Sequence, residues 1–201
     1  MSQEIISKET KDSLEILKRS GLLNDFYLAG GTALALQANH RFSDDLDFFT
    51  QKEFNPEILL QKIKGLGSFS VEKLEELTLI GIFNKTKISF LGYNYPLLKS
   101  LKEIEGTDVA DISDVGCMKL SAICSRAAKK DFIDLFFIIK QIPLKELLIL
   151  FQTKYAEVNF NQTHLLKSLT YFEDAENNPM PEMIIPVSWG EVKRELEKAI
   201  K

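Results

Sequence analysis

Residues 41–49 read RFSDDLDFF, and this stretch decides the fold. Apolar residues alternate with acids here, which predicts a β-strand over residues 42–50. Alternate side chains of a strand share a face and lie about 6.6–7 Å apart, so Asp45 and Asp47 point to the same side. Leu46 and Phe48 point to the other side, where they can enter a hydrophobic core.

Two carboxylates on one face repel each other unless a counter-charge lies between them. A hard divalent cation such as Mg²⁺ prefers oxygen ligands and supplies that charge. A metal held in this way can bind phosphate oxygens and stabilise a leaving pyrophosphate. A solvated pair of acids on an edge strand or turn is the other interpretation. The flanking Leu46, Phe48 and Phe49 favour a central strand, where a bare acid pair is costly.

The segment before this strand, residues 27–34, reads YLAGGTAL and predicts a short strand, a Gly-Gly turn and a helix that opens at Thr32. Glycines at Gly30 and Gly31 let the backbone approach a phosphate closely. The helix N-terminus adds unpaired N–H groups and a partial positive charge, and Thr32 can hydrogen-bond a phosphate oxygen. A plain strand-to-helix connection would also have these residues. The acidic strand that follows within about twenty residues favours the phosphate-binding interpretation.

A second informative segment, KLSAICSRAAKKDFIDL, begins at Lys119. Lys119 and Arg126 are seven residues apart and share one face of a predicted helix. Lys130 and Asp134 are four apart and can pair if the helix continues, whereas Asp131 can instead cap a new helix. Such cations suit nucleotide phosphates, although a surface face with ordinary ion pairs fits the same pattern.

Composition limits the class of protein. The chain has 201 residues, 45% of them hydrophobic, and a net charge of −4 from 25 basic and 29 acidic residues. This argues against disorder and against a general nucleic-acid coat, but leaves room for one basic patch. Two cysteines, a charged N-terminus and the absence of an apolar run near ~18 residues predict a soluble cytoplasmic protein without membrane contact. His40 is expected at the surface.

The layout of predicted elements is mixed up to about residue 95 and helical afterwards. Three short runs between residues 65 and 95 predict a β-meander. The fold class is therefore α/β (α+β), with a mixed sheet flanked by helices and a C-terminal helical region. The predicted domains are a core over residues 1–105 and a helical region over residues 106–201 that completes a cleft.

Together these motifs resemble a known family. The order GGTALAL, then Arg-x-Ser-x-Asp-Leu-Asp-Phe-Phe from Arg41, is similar to that of the AbiEii/AbiGii toxin nucleotidyltransferases of the polymerase-β-like superfamily. The family's helical motif of Lys, Arg, then Lys-Asp-Phe-x-Asp-Leu also has matches here. They are Lys119, Arg126, Lys130, Asp131 and Asp134. The resemblance covers nearly the whole chain.

The resemblance implies a nucleotidyltransferase fold and an enzyme that transfers a nucleoside monophosphate from an NTP to an acceptor, RNA (such as tRNA) or protein. It implies the toxin of a bacterial toxin–antitoxin or phage-defence pair, with a cognate antitoxin as partner. Asp45 and Asp47 would bind Mg²⁺. The catalytic residues would be Asp45, Asp47, Lys119 and Asp131, and Asp134 is the alternative to Asp131. The nucleotide-binding set would be Gly30, Gly31, Thr32, Ser43, Lys119, Arg126 and Lys130.

One feature departs from the superfamily pattern. Polymerase-β-like enzymes often carry a third carboxylate on a later strand, but the candidate strand here, residues 87–91, reads KISFL and has no acid. The third ligand would then come from the helical aspartates, or the site uses two carboxylates. This favours, as an alternative function, a non-catalytic module that binds nucleotide or docks a partner. If Asp131 is the site residue, Asp134 is expected to pair with Lys130 or Arg126.

Overall fold

The computed structural model describes residues 5–201, so the first four residues of the predicted core domain lie outside the described residues. A seven-stranded mixed sheet forms its centre, in the order β3-β4-β5-β2-β1-β7-β6. The strands are β1 (Tyr27–Ala29), β2 (Leu46–Thr50), β3 (Phe69–Glu75), β4 (Thr78–Phe83), β5 (Thr86–Gly92), β6 (Lys102–Ile104) and β7 (Thr107–Val109).

The acidic strand β2 lies in the middle of this sheet, parallel to β5 and antiparallel to β1. Leu46 and Phe48 are fully buried, which confirms the prediction of a central strand with one apolar face. The strand begins at Leu46, later than the predicted start at residue 42. The backbone N–H of Phe42 instead donates to the carbonyl of Glu182, and Arg41 forms an isolated bridge with Met183. The C-terminal segment therefore holds these residues away from the sheet.

The predicted meander is confirmed, because β3, β4 and β5 pair antiparallel in sequence order. The hairpin of β6 and β7 was not predicted. Its turn contains Glu105 and Gly106, both with positive φ, and β7 joins the sheet beside β1 through Leu28 and Val109. The sheet thus continues to Val109, and the boundary placed at residue 105 falls inside a hairpin turn. The division into core and helical region stays a prediction.

Nine helices complete the described part of the chain. They are α1 (Lys8–Arg19), α2 (Gly30–Ala38), α3 (Pro56–Lys64), α4 (Ile112–Arg126), α5 (Lys129–Ile139), α6 (Leu144–Lys154), α7 (Gln162–Ser168), α8 (Glu173–Glu176) and α9 (Trp189–Ile200). The mixed α/β class is confirmed. None of the helices in residues 5–201 is long and apolar enough to cross a membrane.

Helix α4 is the central element of the helical layer, in contact with α2, α5, α6 and α7. Its N-cap is Asp111, whose side chain accepts a hydrogen bond from the Ser113 amide. Helix α5 follows after a single break at Ala127, which has a left-handed φ of 45°. Because α5 begins at Lys129, Asp131 lies in its first turn, so the alternative in which Asp131 caps a new helix is wrong.

Candidate active site

A cavity of about 710 Å³ separates the sheet from α4. One end of it is polar and collects most of the residues singled out in the sequence. The residues at this end are Gly30, Gly31, Arg41, Ser43, Asp45, Asp47, Lys119, Arg126 and Lys130. Thr32 and Asp131 are the two predicted site residues that do not line the cavity. The fold thus brings together motifs that are up to a hundred residues apart.

The two carboxylates face this cavity in different settings. Asp47 lies on β2 in register with Ala29 and Ser89, whereas Asp45 precedes the strand and has a side chain 48% exposed. Burial raises the pKa of Asp47 despite a hydrogen bond from Ser89, and the charge of Asp45 raises it further. The nearest cation to Asp45 is Lys130, whose Nζ lies 3.8 Å from Oδ2.

This donor set fits Mg²⁺. The ion prefers oxygen ligands and is commonly held by one or two carboxylates, with waters and substrate phosphates completing its octahedron. Asp45 and Asp47 provide the two carboxylates, and a cation would offset both the burial of Asp47 and the charge of Asp45, which raise the pKa of Asp47. Within residues 5–201 there is no cluster of three or more His, Cys, Asp or Glu side chains suited to a metal. Substrate oxygens would therefore supply much of the coordination.

The glycine turn lies directly beside the carboxylates. Gly30 has a φ of 71°, and a Cβ placed there would lie 3.0 Å from Oδ2 of Asp47. A Cβ on Gly31 would collide with the Arg41 guanidinium. The N-terminus of α2 has no side-chain cap, so its first-turn amides can hydrogen-bond a ligand. The absence of side chains at these two positions therefore lets Asp47 and Arg41 pack directly against the turn, beside the first-turn amides of α2.

Thr32 acts behind this turn. Its hydroxyl donates to the carbonyl of Asp45 and shares a hydrogen bond of 2.9 Å with the Ser43 hydroxyl. Its side chain is buried, so these contacts tie the start of α2 to the acidic segment. A direct contact between Thr32 and a phosphate stays a prediction.

Asp134 is the centre of a buried ion network. Its carboxylate accepts two hydrogen bonds from Arg41, at 2.7 Å from Nε and 2.9 Å from Nη2. Nε2 of His40 lies 2.8 Å away and Nζ of Lys119 lies 2.6 Å away. Burial alone would raise the pKa of Asp134, but the charges of Lys119 and Arg41 hold it well below its usual range. The expected pairing of Asp134 with Lys130 or Arg126 is therefore wrong.

Asp131 forms the other half of the network. It accepts hydrogen bonds from Nε and Nη2 of Arg126 at 2.8 and 2.9 Å, and from Nζ of Lys119 at 2.9 Å. Its side chain is fully buried, and although burial favours the neutral form, Arg126 and Lys119 lower its pKa. Lys119 is thus fixed between Asp131 and Asp134, which raise its pKa against the opposite effect of burial.

For two members of this network, the prediction from the sequence was incomplete or wrong. Arg41 was noted as the first residue of the acidic motif but was given no role at the site. His40 was expected at the surface, and it is fully buried. A cation next to a buried strand requires an acid as partner, and this was the signal available for Arg41. The partner itself, Asp134, lies 93 residues further along the chain, so sequence spacing gave no means of finding it.

Comparisons with known proteins identify a family for this chain. Residues 13–98 match the family model described as nucleotidyl transferase AbiEii toxin, type IV TA system. A protein of Aquifex aeolicus (strain VF5), described as uncharacterized protein aq_aa25, is 39% identical over 202 residues, covering 98% of this chain and 96% of that protein.

Solved structures share the fold. MenT4, a nucleotidyltransferase toxin from Mycobacterium tuberculosis H37Rv, aligns with a TM-score of 0.60 and 17% identity over 96% of this chain and 85% of that one. JHP933 from Helicobacter pylori aligns with a TM-score of 0.58 and 19% identity over 97% and 91% of the two chains. At these identities the likeness shows the fold alone.

Proposed function

Because the chain belongs to the AbiEii nucleotidyltransferase toxin family, and is thus a nucleotidyltransferase, we propose that it transfers a nucleoside monophosphate from an NTP to an acceptor and releases pyrophosphate. The observation that carries this proposal is the arrangement of the cavity's polar end. Two carboxylates and an uncapped helix N-terminus share one space with four cations, which are Arg41, Lys119, Arg126 and Lys130. This is the charge pattern that a metal-bound triphosphate requires.

Asp45 and Asp47 would hold Mg²⁺, which when bound supplies charge neutralisation at the phosphate oxygens. The amides of the first turn of α2 hydrogen-bond the phosphates at Gly30 and Gly31, with Ser43 beside them. Thr32 keeps this turn fixed to the acidic segment through the carbonyl of Asp45. The chain thus positions the acids and the phosphate-binding amides relative to each other.

The cations of the opposite wall have distinct roles. Lys119 is fixed by two aspartates and neutralises the charge that develops on the transferred phosphoryl group. Arg126 and Lys130 have side chains 56% and 46% exposed and hold the remaining phosphates. Asp131 acts through Lys119 and Arg126, which it orients toward the cavity, rather than through direct contact with substrate.

The acceptor is RNA, with tRNA as the first candidate, and a protein hydroxyl is the second candidate. Membership of the AbiEii family supports a role as the toxin of a type IV toxin–antitoxin pair, with a cognate antitoxin as partner. The predicted cytoplasmic location provides NTPs, RNA and a reducing environment for the two free cysteines, Cys117 and Cys124.

Label transfer tests this proposal. The protein is incubated with each of the four NTPs, labelled at the α-phosphate, together with Mg²⁺, total RNA and cell protein. The wild type is expected to label a macromolecule, and Asp47→Asn to lose that transfer. Asp25→Asn is the matched control, because Asp25 is a surface acid, 58% exposed and paired with Lys52.

Two results would contradict the enzyme proposal: no transfer from any NTP by the wild type, or equal transfer by Asp47→Asn. Mg²⁺-dependent NTP binding without pyrophosphate release across this acceptor screen would support the nucleotide-binding module instead.

A further inference from the structure

The cavity has a second, apolar end that none of the proposed phosphate contacts uses. The register between strands β2 and β5 gives the position of this apolar end. Asp47 pairs with Ser89, and the next residues on the same face, Phe49 and Leu91, also pair with each other. Each such step moves about 6.6–7 Å along the sheet. The surface therefore changes from carboxylate to apolar within one step, and Tyr93 follows one step beyond.

Helix α4 shows the same polarity on the opposite wall. Its cavity-lining residues recur at helical spacing, from Met118 through Ser121, Ala122 and Ser125 to Arg126. Arg126 lies at the polar end, where the charge of Asp47 contributes to its raised pKa. Met118 lies two turns earlier and is partly exposed, like Leu91 on the facing strand. Lys119, at the same level of α4 as Met118, is the exception to this order, because its side chain turns to Asp131 and Asp134.

A pair of tyrosines closes the apolar end. The hydroxyls of Tyr93 and Tyr155 hydrogen-bond to each other, and the Tyr93 ring packs edge-on against Phe49 at 5.3 Å between centroids. Burial raises the pKa of both tyrosines, so both hydroxyls stay neutral at physiological pH. One proton of the pair, and several lone pairs, are not used by the mutual hydrogen bond. This end therefore offers neutral hydrogen-bonding groups in an apolar setting.

We propose that this aromatic end, formed by Phe49, Leu91, Tyr93, Met118 and Tyr155, holds the nucleobase of the NTP. The inference rests on the proposed function, because the triphosphate must lie at the glycine turn. The base then packs between Leu91 and Met118, and its polar edge meets the hydroxyl pair of Tyr93 and Tyr155. A neutral, flat, amphipathic group fits this end, because none of the five residues that form it is charged.

Binding experiments separate the base from the phosphates. The affinity of each NTP is measured with Mg²⁺ by calorimetry and compared with that of inorganic tripolyphosphate, which has no base. The wild type is expected to bind at least one NTP about tenfold more tightly than tripolyphosphate, since stacking of a base on a protein surface is worth that much. Leu91→Ala and Met118→Ala should weaken the NTP several-fold and leave tripolyphosphate unchanged.

Two control variants define the result. Lys130→Ala, at the polar end, should weaken both ligands, and Ile149→Ala, on an exposed site of α6, should weaken neither. Tyr155→Phe removes one hydroxyl without changing the ring, and it should change the order of preference among the four NTPs.

The inference is overturned if tripolyphosphate binds as tightly as every NTP, or if Leu91→Ala and Met118→Ala weaken both ligands equally. An unchanged NTP preference in Tyr155→Phe removes the hydroxyl pair from the proposed subsite. NTP binding that is independent of the base defeats this inference alone, because label transfer can still occur. A complete lack of NTP binding defeats the proposed function as well.

Discussion

Replacing Asp134 by Asn should destabilise the fold by about 3 kcal/mol, at the lower end of the ~3–5 kcal/mol typical of a broken buried ion pair. The remaining contacts of the two cations explain why the expected loss of stability is at the lower end of this range. Lys119 keeps Asp131 as a partner at 2.9 Å, and Arg41 keeps the Phe42 carbonyl at 2.9 Å, so neither cation is left without any contact. The substitution removes the negative charge of Asp134, which compensates the burial of the two cations.

Urea denaturation measures this change. With a slope of about 2 kcal/mol per M for a chain of this size, 3 kcal/mol lowers the midpoint by about 1.5 M. Asp25→Asn, on the surface, should shift it by less than about 0.3 M, because exposed pairs contribute little.

The pH dependence gives the second half of this test. The pKa of Asp134 is lowered in the folded state, so its contribution is fully present above the unfolded pKa, near 3.8, and is lost as the pH falls below that value. The difference between wild type and Asp134→Asn should therefore shrink between pH 5 and pH 3. A midpoint within about 0.3 M of wild type at pH 7, or a difference that does not depend on pH, would refute this reasoning.

Three further predictions concern other parts of the site and fold. Gly31→Ala should lower the free energy of unfolding by about 1–3 kcal/mol and reduce label transfer, because the new Cβ collides with an Arg41 side chain that Asp134 holds in place. Thermal melting and the transfer assay measure these two effects, and wild-type values in both would contradict the collision. Lys154→Met should lower the free energy of unfolding by about 3–5 kcal/mol, because the fully buried Asp114 loses its 2.7 Å ion pair. A loss under about 1 kcal/mol in urea denaturation would show that the backbone amides of residues 98 and 99 stabilise this carboxylate without the lysine. Excess EDTA should abolish label transfer and added Mg²⁺ should restore it, and transfer that survives chelation would exclude the metal role of Asp45 and Asp47.

The fold could be predicted where the local pattern carries the information. The alternation in β2 and the short apolar runs of β4 and β5 identify strands, because one face of each is buried. β3 is mostly exposed and is held in the sheet by its pairing with β4. The hairpin of β6 and β7 has no such pattern. Each strand has three residues, and most of those in β6 are exposed. β7 joins the sheet by pairing with β1, a long-range contact that no local signal predicts, and within the described part of the chain β6 pairs only with β7.

The candidate site divides in the same way. Asp45 and Asp47 are two residues apart, so their side chains had to lie close together wherever the segment folded. Asp131 and Asp134 are three residues apart on one helix, and the choice between them could not be made from their spacing. It depends on Arg41, because the guanidinium occupies both oxygens of Asp134 and leaves Asp131 to Arg126.

A buried ion network of this kind is a weak source of stability, since desolvation offsets most of the attraction between its charges. Its effect on position is stronger. Lys119 contacts both aspartates, and each aspartate also holds an arginine, so Lys119, Arg41 and Arg126 cannot move independently. All three line the polar end of the cavity. A triphosphate that binds there therefore meets cations already held in place, and their side chains lose little conformational entropy on binding. The net charge of −4 is compatible with this role, because the cations are gathered where the triphosphate is proposed to bind.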